Sequence, residues 1–186
     1  RGVGSQGYRP LTTASPSIIV ELLPPSPPPP ALRVWSGNYR RPGCYTLPYG
    51  QKLAHGITST LALLEAEDHA CEEALVFSDT GIVCETASAN LFWLHDGLLY
   101  TPALSTGCVA GTTRQAVMRV SPFPMHEVEA PLAALQQADM LFLTNVRFGM
   151  LAIQHLAPQG WDYATTSPHF EQLRIQFEED RHTAVI

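Results

Sequence analysis

Six of the seven residues in the stretch PPSPPPP (24–30) are proline. Proline offers no N–H to a helix or a sheet ladder, and its φ is fixed at about −65°. The run is therefore excluded from regular structure and has to travel as an extended surface connection. Any cooperative fold must be built on either side of it. Upstream, SIIVELL (17–23) reads as a strand, a branched apolar run bounded by turn formers. Downstream lies most of the 186-residue chain, which is 45% apolar and only 15% charged, enough to bury a core. The net charge is −6 with no basic run, which argues against a nucleic-acid partner. No apolar segment approaches the length of a bilayer crossing, so no membrane partner is expected.

ALRVWSG (31–37) is a second candidate strand, and NYRRPGCYTLPYG (38–50) has the proline, glycine and arginine content of a linker. In KLAHGITSTLALLEAED (52–68), Leu53, Ile57, Leu61 and Leu64 recur at spacings of four, four and three, the pattern of an amphipathic helix with Lys52 in its first turn. EEALVFSD and IVCETAS read as strands joined around Thr80-Gly81, and NLFWLHDGLLYTP as a hairpin turning at Asp96-Gly97. GCVAGTTRQAVMRV begins as a loop and continues as a helix. APLAALQQAD is a short helix feeding the strand MLFLTNV. SPHFEQLRIQFEED closes the chain as a helix, with Ser167 as N-cap and Pro168 in the first turn. Mixed strands and helices make this an α/β or α+β protein. The expected organisation is the end of a small N-terminal domain over 1–39, an interdomain linker over 40–50 and a large domain over 51–186. Cys44, Cys71, Cys84 and Cys108 include no C-x-x-C pair and read as reduced thiols of a cytoplasmic protein. The histidines have no metal-ligand spacing, so no metal site is expected. The G-x-G-x-x-G at Gly2, Gly4 and Gly7 has no strand before it and no helix after it, and is not a dinucleotide fingerprint.

Three features point to chemistry. Lys52 is the sole lysine, the other ten cationic side chains being arginine. Coding bias explains why lysine is rare, but a guanidinium cannot replace an amine that must lose its proton and form a Schiff base. Glu85 is a lone acid in an apolar and small-residue strand. AGTTRQ opens a helix with a glycine and two threonines, and a helix N-terminus with free N–H groups and added hydroxyls suits a phosphate. Each also has a structural reading: a solvated helix-end lysine, an acid beside an arginine, a threonine N-cap. Together they meet the needs of pyridoxal 5'-phosphate, which takes a lysine for its aldehyde, an acid for its ring nitrogen and an anion cradle for its phosphate.

ETASANLF, LYTP and GCVAGTTR, in that order and spacing, resemble the signature of the class IV aminotransferases, the fold-type IV pyridoxal-phosphate enzymes. EEALVFSDTG is similar to the family's strand before the acid, and Lys52 falls where its Schiff-base lysine lies. The resemblance implies that Lys52 bonds covalently to the cofactor and then shuttles a proton. It also implies that Glu85 pairs with the pyridine nitrogen, Val109 packs on a ring face, and Gly111, Thr112 and Thr113 hold the phosphate. Asn90 is expected to orient backbone near Glu85. A homodimer and a small amino substrate are further implications.

Within the family, RGVGSQGY, NLFW and TNVRFGMLAI (144–153) are most similar to the 4-amino-4-deoxychorismate lyases. The implied reaction forms 4-aminobenzoate and pyruvate, a step of folate synthesis, with Arg147 and Tyr8 as substrate contacts. The alternatives are an aminotransferase acting on branched-chain or D-amino acids, and a non-catalytic remnant of the fold. Gln6, His55 and Val146 depart from residues common in the family, and Ile57 stands where the branched-chain enzymes place a tyrosine. A complete member is also expected to carry a substantial segment ahead of RGVG.

Overall fold

The computed structural model describes residues 18–24, 27–43, 45–46, 50–53 and 56–183. Its elements are strand β1 (Leu32–Arg40), helix α1 (Ile57–Asp68), strands β2 (Glu73–Phe77), β3 (Val83–Thr86), β4 (Asn90–His95) and β5 (Leu98–Pro102), helix α2 (Thr112–Val120), strands β6 (Met125–Val128), β7 (Met140–Asn145), β8 (Gly149–Ala157) and β9 (Trp161–Asp162), and helix α3 (Pro168–Thr183). Short 3-10 turns occupy Leu104–Thr106 and Leu132–Gln137. The strands form one mixed sheet in the order β3-β2-β1-β8-β7-β4-β5-β6, with β9 paired to β8.

Period-two alternation builds two cores from single strands. Along β4, Leu91 and Trp93 enter one apolar cluster while Phe92 and Leu94 enter another. Along β7, Leu141 and Leu143 join the first, and Met140 and Phe142 the second. The second core is covered by α2 and α3 through Val117, Phe170, Leu173 and Phe177. At the start of α3, Ser167 Oγ accepts the Phe170 N–H at 3.1 Å, the N-cap bond that its sequence implies. Asp96 and Gly97 turn the β4–β5 hairpin with φ of 49° and 73°, the left-handed pair of a two-residue turn.

Strand β1, α1 and β2 make a parallel crossover, with β1 hydrogen-bonded on its other side to β8. Residues 32–39, expected with the small domain, are thus an interior strand of this sheet. Val34 and Trp35 are partnered on both flanks, by β2 and by β8. The expected strand at 17–23 is not seen: Ile18 to Leu23 have no regular structure and are exposed. An apolar run needs a neighbouring edge to become a strand, and none lies beside it among the described residues. The described prolines of 24–30 likewise carry no regular structure.

Helix α1 starts at Ile57, after Gly56, so Lys52 precedes it instead of lying in its first turn. Its buried positions are Ala62 and Ala66, whose small side chains let the helix approach β1 and β2 closely. The Leu53–Ile57–Leu61–Leu64 stripe faces outward, with Ile57 52% and Leu64 54% exposed. Regular spacing marks a face, but here packing space chose the alanines. Overpacking should therefore hurt where the stripe does not. Ala66→Leu is expected to cost about 1–3 kcal/mol in urea unfolding, and Leu61→Ser to stay within about 0.5 kcal/mol of the parent.

Candidate active site

Elements far apart in sequence converge on a cavity of about 200 Å³. Its walls are Arg41 from the end of β1, Lys52, Glu85 on β3, Val109 and Gly111–Thr113 at the start of α2, and Thr144–Val146 at the end of β7. A second cavity of about 320 Å³ lies beyond Lys52 and shares Arg41, Lys52, Ala87, Ser88 and Val109 with the first.

Glu85 is 2% exposed. Its Oε2 accepts the Val109 N–H at 3.1 Å and the Asn90 amide at 3.1 Å. The same Asn90 Nδ2 donates to the Val109 carbonyl at 2.8 Å, so Asn90 fixes the Val109 backbone and the carboxylate together. The other oxygen, Oε1, lies 2.8 Å from Arg41 Nη2 yet receives no aligned hydrogen bond. Burial pushes the Glu85 carboxyl above its ordinary range, and the Arg41 guanidinium is foremost among the groups pulling it back. A buried carboxylate with one oxygen engaged and one free of directed donors suits a ligand that brings its own N–H.

The anion cradle is equally specific. Gly111 is the N-cap of α2, with no side-chain cap, so the first N–H groups of the helix are open toward the cavity. Thr112 and Thr113 occupy the first two helical positions, and neither is the N-cap. A Cβ at Gly111 would collide with Asn90 Oδ1, which explains the glycine. Buried Arg114 pins the helix in place, donating to Pro102 O at 3.0 Å and pairing with Glu127 Oε2 at 2.6 Å.

Lys52 borders both cavities but is exposed, so its amine sits at the mouth and not in a desolvated pocket. Arg147 is exposed in the β7–β8 turn and is not part of the cavity wall. Its backbone N–H bonds Asn145 Oδ1 at 2.9 Å, which closes that turn. Tyr8, Gln6 and His55 lie outside the described residues. Sequence reasoning missed Arg41, one of several arginines in a presumed linker, and Thr144, whose strand position alone says nothing of a cavity. Cys71, Cys84 and Cys108 are free thiols. Burial raises Cys108 to about 11, which keeps it protonated and inert.

Glu73, 4% exposed on β2, supports the site from behind. Its Oε1 accepts the Ala74 N–H at 2.9 Å, and its Oε2 accepts the hydroxyl of Ser88, which lines both cavities. Burial raises its carboxyl above the ordinary 4.5. The folded chain thus keeps this proton to higher pH than the unfolded chain. The group's stabilisation is complete below 4.5 and lost as pH rises through the folded value. Glu73→Gln should gain stability relative to the parent as pH rises from 4.5, with a limiting slope of about 1.4 kcal/mol per pH unit in denaturant titrations. A flat or opposite difference would contradict this placement of the charge.

Comparison with known proteins places this arrangement in context. A Thermotoga maritima protein provisionally assigned as a branched-chain-amino-acid aminotransferase is 28% identical over 153 residues, covering 77% of this chain and 55% of that one. The Pseudomonas aeruginosa branched-chain-amino-acid aminotransferase is 37% identical over 121 residues, covering 63% and 39%. Among solved structures, a Legionella pneumophila protein provisionally described as a 4-amino-4-deoxychorismate lyase superposes with a TM-score of 0.77 at 25% identity, covering 83% of this chain and 58% of that one. The chain thus spans about half the length of these relatives. The profile of the amino-transferase class IV family matches residues 1–156. With its mixed α/β sheet and the site carried at the ends of β1, β3 and β7, the chain belongs to the class IV aminotransferase family.

Proposed function

We propose that this chain binds pyridoxal 5'-phosphate in the first cavity and uses it for chemistry at the amino group of a small substrate. The observation that carries the proposal is Glu85 Oε1, a buried carboxylate oxygen left without an aligned donor at the cavity wall. The residues present fit the group. Glu85 Oε1 is available to a protonated ring nitrogen, Val109 borders the space beside it, and the open N–H groups of α2 with Thr112 and Thr113 suit the phosphate. When bound, the cofactor supplies an electron sink for bonds at the substrate's amino carbon. Glu85 would hold a proton at the ring nitrogen, the Arg41 guanidinium favouring the negative form that this needs against the burial that disfavours it. Lys52, at the mouth between two cavities, would supply the amine for the cofactor's aldehyde and, once freed by an incoming amine, would carry protons on Nζ.

The specific reaction we favour is the conversion of 4-amino-4-deoxychorismate to 4-aminobenzoate and pyruvate. The similarity of NLFW and the 144–153 segment to the lyases supports it, as does the likeness to the Legionella pneumophila structure. A branched-chain aminotransferase is the second reading, favoured by the Pseudomonas aeruginosa relative at 37% identity. Arg147, exposed and outside the wall of either cavity, stays in the proposal as a contact for a substrate carboxylate. A homodimer remains part of the proposal.

The test is trapping. Pyridoxal phosphate added to the chain should produce a visible band, and borohydride followed by peptide mass analysis should place the label on Lys52. Lys52→Ala should show neither band nor label. Glu85→Gln should keep the label but lose at least about a hundredfold in turnover, since the neutral amide no longer stabilises the ring proton. Pyruvate released without an amino acceptor marks the lyase, and amino transfer from valine marks the transaminase. Label spread over other amines, or unchanged label in Lys52→Ala, would overturn the assignment.

A further inference from the structure

An amine that arrives as an ammonium has no free lone pair, so chemistry at an amino group begins with the loss of a proton to a base. Among the described residues, Glu85 is the only carboxylate in the wall of either cavity. It is already committed. Its Oε2 accepts from Val109 and Asn90, and its Oε1, beside Arg41, is assigned to the ring nitrogen. A second carboxylate reaches the wall from behind. Glu73 is 4% exposed, and its Oε2 accepts the hydroxyl of Ser88, which is itself exposed and, like Lys52, borders both cavities. Two further contacts fix this turn: the Ser88 carbonyl accepts the Asn145 amide at 3.4 Å, and the Ala87 N–H donates to Ala74 O at 2.8 Å. The leading groups that hold Glu73 are uncharged, the Ser88 hydroxyl and the N–H groups of Ala74, Ala87 and Ser88. Ionisable side chains on the neighbouring elements make their own contacts. Glu65 of α1 accepts Trp35 Nε1, His69 stacks on the Trp35 ring, Glu72 accepts the Arg33 N–H, and Glu85 of β3 pairs with Arg41.

We propose that Ser88 and Glu73 form a proton relay that opens where the two cavities meet and deprotonates the incoming substrate ammonium. The ammonium passes a proton to Ser88 Oγ as the Ser88 hydroxyl proton passes to Glu73 Oε2. The products are a neutral amine with its lone pair free and a protonated Glu73, so protons and charge balance and no electrons are transferred. Burial suits Glu73 to keep that proton, because it raises the carboxyl above 4.5. Ser88 touches the substrate, and Glu73 acts through it. The inference rests on the proposed amine chemistry at Lys52. It fits a lyase and an aminotransferase equally, since both start from an amine.

The experiment loads the whole chain with pyridoxal phosphate and follows, by absorbance across pH, the rate at which methylamine or valine displaces Lys52. The parent is compared with Ser88→Ala, Ser88→Thr and Glu73→Gln. In the parent the rate should fall on the acid side, where Glu73 already holds a proton, and level off above it. Ser88→Ala and Glu73→Gln should be at least about tenfold slower at neutral pH, with rates that rise in proportion to the free amine. Ser88→Thr, which restores the hydroxyl, should recover most of that loss. A second readout is the infrared band of the protonated Glu73 carboxyl, identified by its absence in Glu73→Gln. It should rise as the amine binds to the parent and stay unchanged in Ser88→Ala. Since Ser88 is exposed, Ser88→Ala should melt with the parent, and a much lower melting temperature would make the residue structural and overturn the relay. A parent that forms no visible band with pyridoxal phosphate would sink the cofactor reading and the relay with it. A labelled Lys52 with pH profiles of Ser88→Ala and Glu73→Gln parallel to the parent's would overturn the relay alone.

Discussion

The Glu85 carboxylate is the constraint around which the rest is arranged. An acid at 2% exposure is tolerable only if its surroundings replace water, and here they come from three separate parts of the chain. Arg41 arrives from the end of β1, the Val109 N–H from the loop before α2, and Asn90 from the first residue of β4. Each delivery requires an element in place: the parallel pairing of β1 with β2, the buried Arg114 that anchors α2, and the β4–β7 ladder. Binding the acid therefore fixes the walls of the cavity. Removing any one supporter would leave a buried charge uncompensated, which is more damaging than the loss of one contact.

The same economy explains why polar atoms remain unpaired at this place. Glu85 Oε1 and Thr144 Oγ1 are both buried and without a hydrogen-bond partner, and both residues line one cavity. At Thr101, by contrast, the buried hydroxyl donates to Leu91 O at 2.8 Å. Glu85 Oε1 keeps Arg41 as its counter-charge, and what it lacks is an aligned donor, which a ligand carrying an N–H would bring. The open N-terminus of α2 adds a third unfilled valence of the same kind.

Much of this was legible in the sequence, for identifiable reasons. Apolar runs bounded by turn formers marked β2, β3, β4 and β7, because these strands are buried on both faces. Ser167-Pro168 announced the start of α3, and Asp96-Gly97 the tightest hairpin. Lys52, Glu85 and the Gly-Thr-Thr turn were readable because their chemistry is unlike their neighbours'. Other features were not. The exposed stripe of α1 followed helical spacing while two alanines made the contact, since periodicity reports a face and not the space beneath it. The strand expected at 17–23 depended on an edge that composition cannot supply. Arg41 was hidden because its role is tertiary: an arginine among several becomes the partner of Glu85 only once β1 lies inside the sheet. Strand β8 was overlooked because residues 144–153 were read as one loop, although Gly149–Ile153 are buried on both faces.

The most direct measurement is a crystal structure of the chain soaked with pyridoxal phosphate. The account requires the ring nitrogen within hydrogen-bond distance of Glu85 Oε1, roughly 2.7–3.0 Å, with the phosphate at the N–H groups of Thr112 and Thr113. The reverse orientation, with the phosphate on Arg41 and the ring directed at α2, would contradict it, because Glu85 would then be only a structural counter-charge.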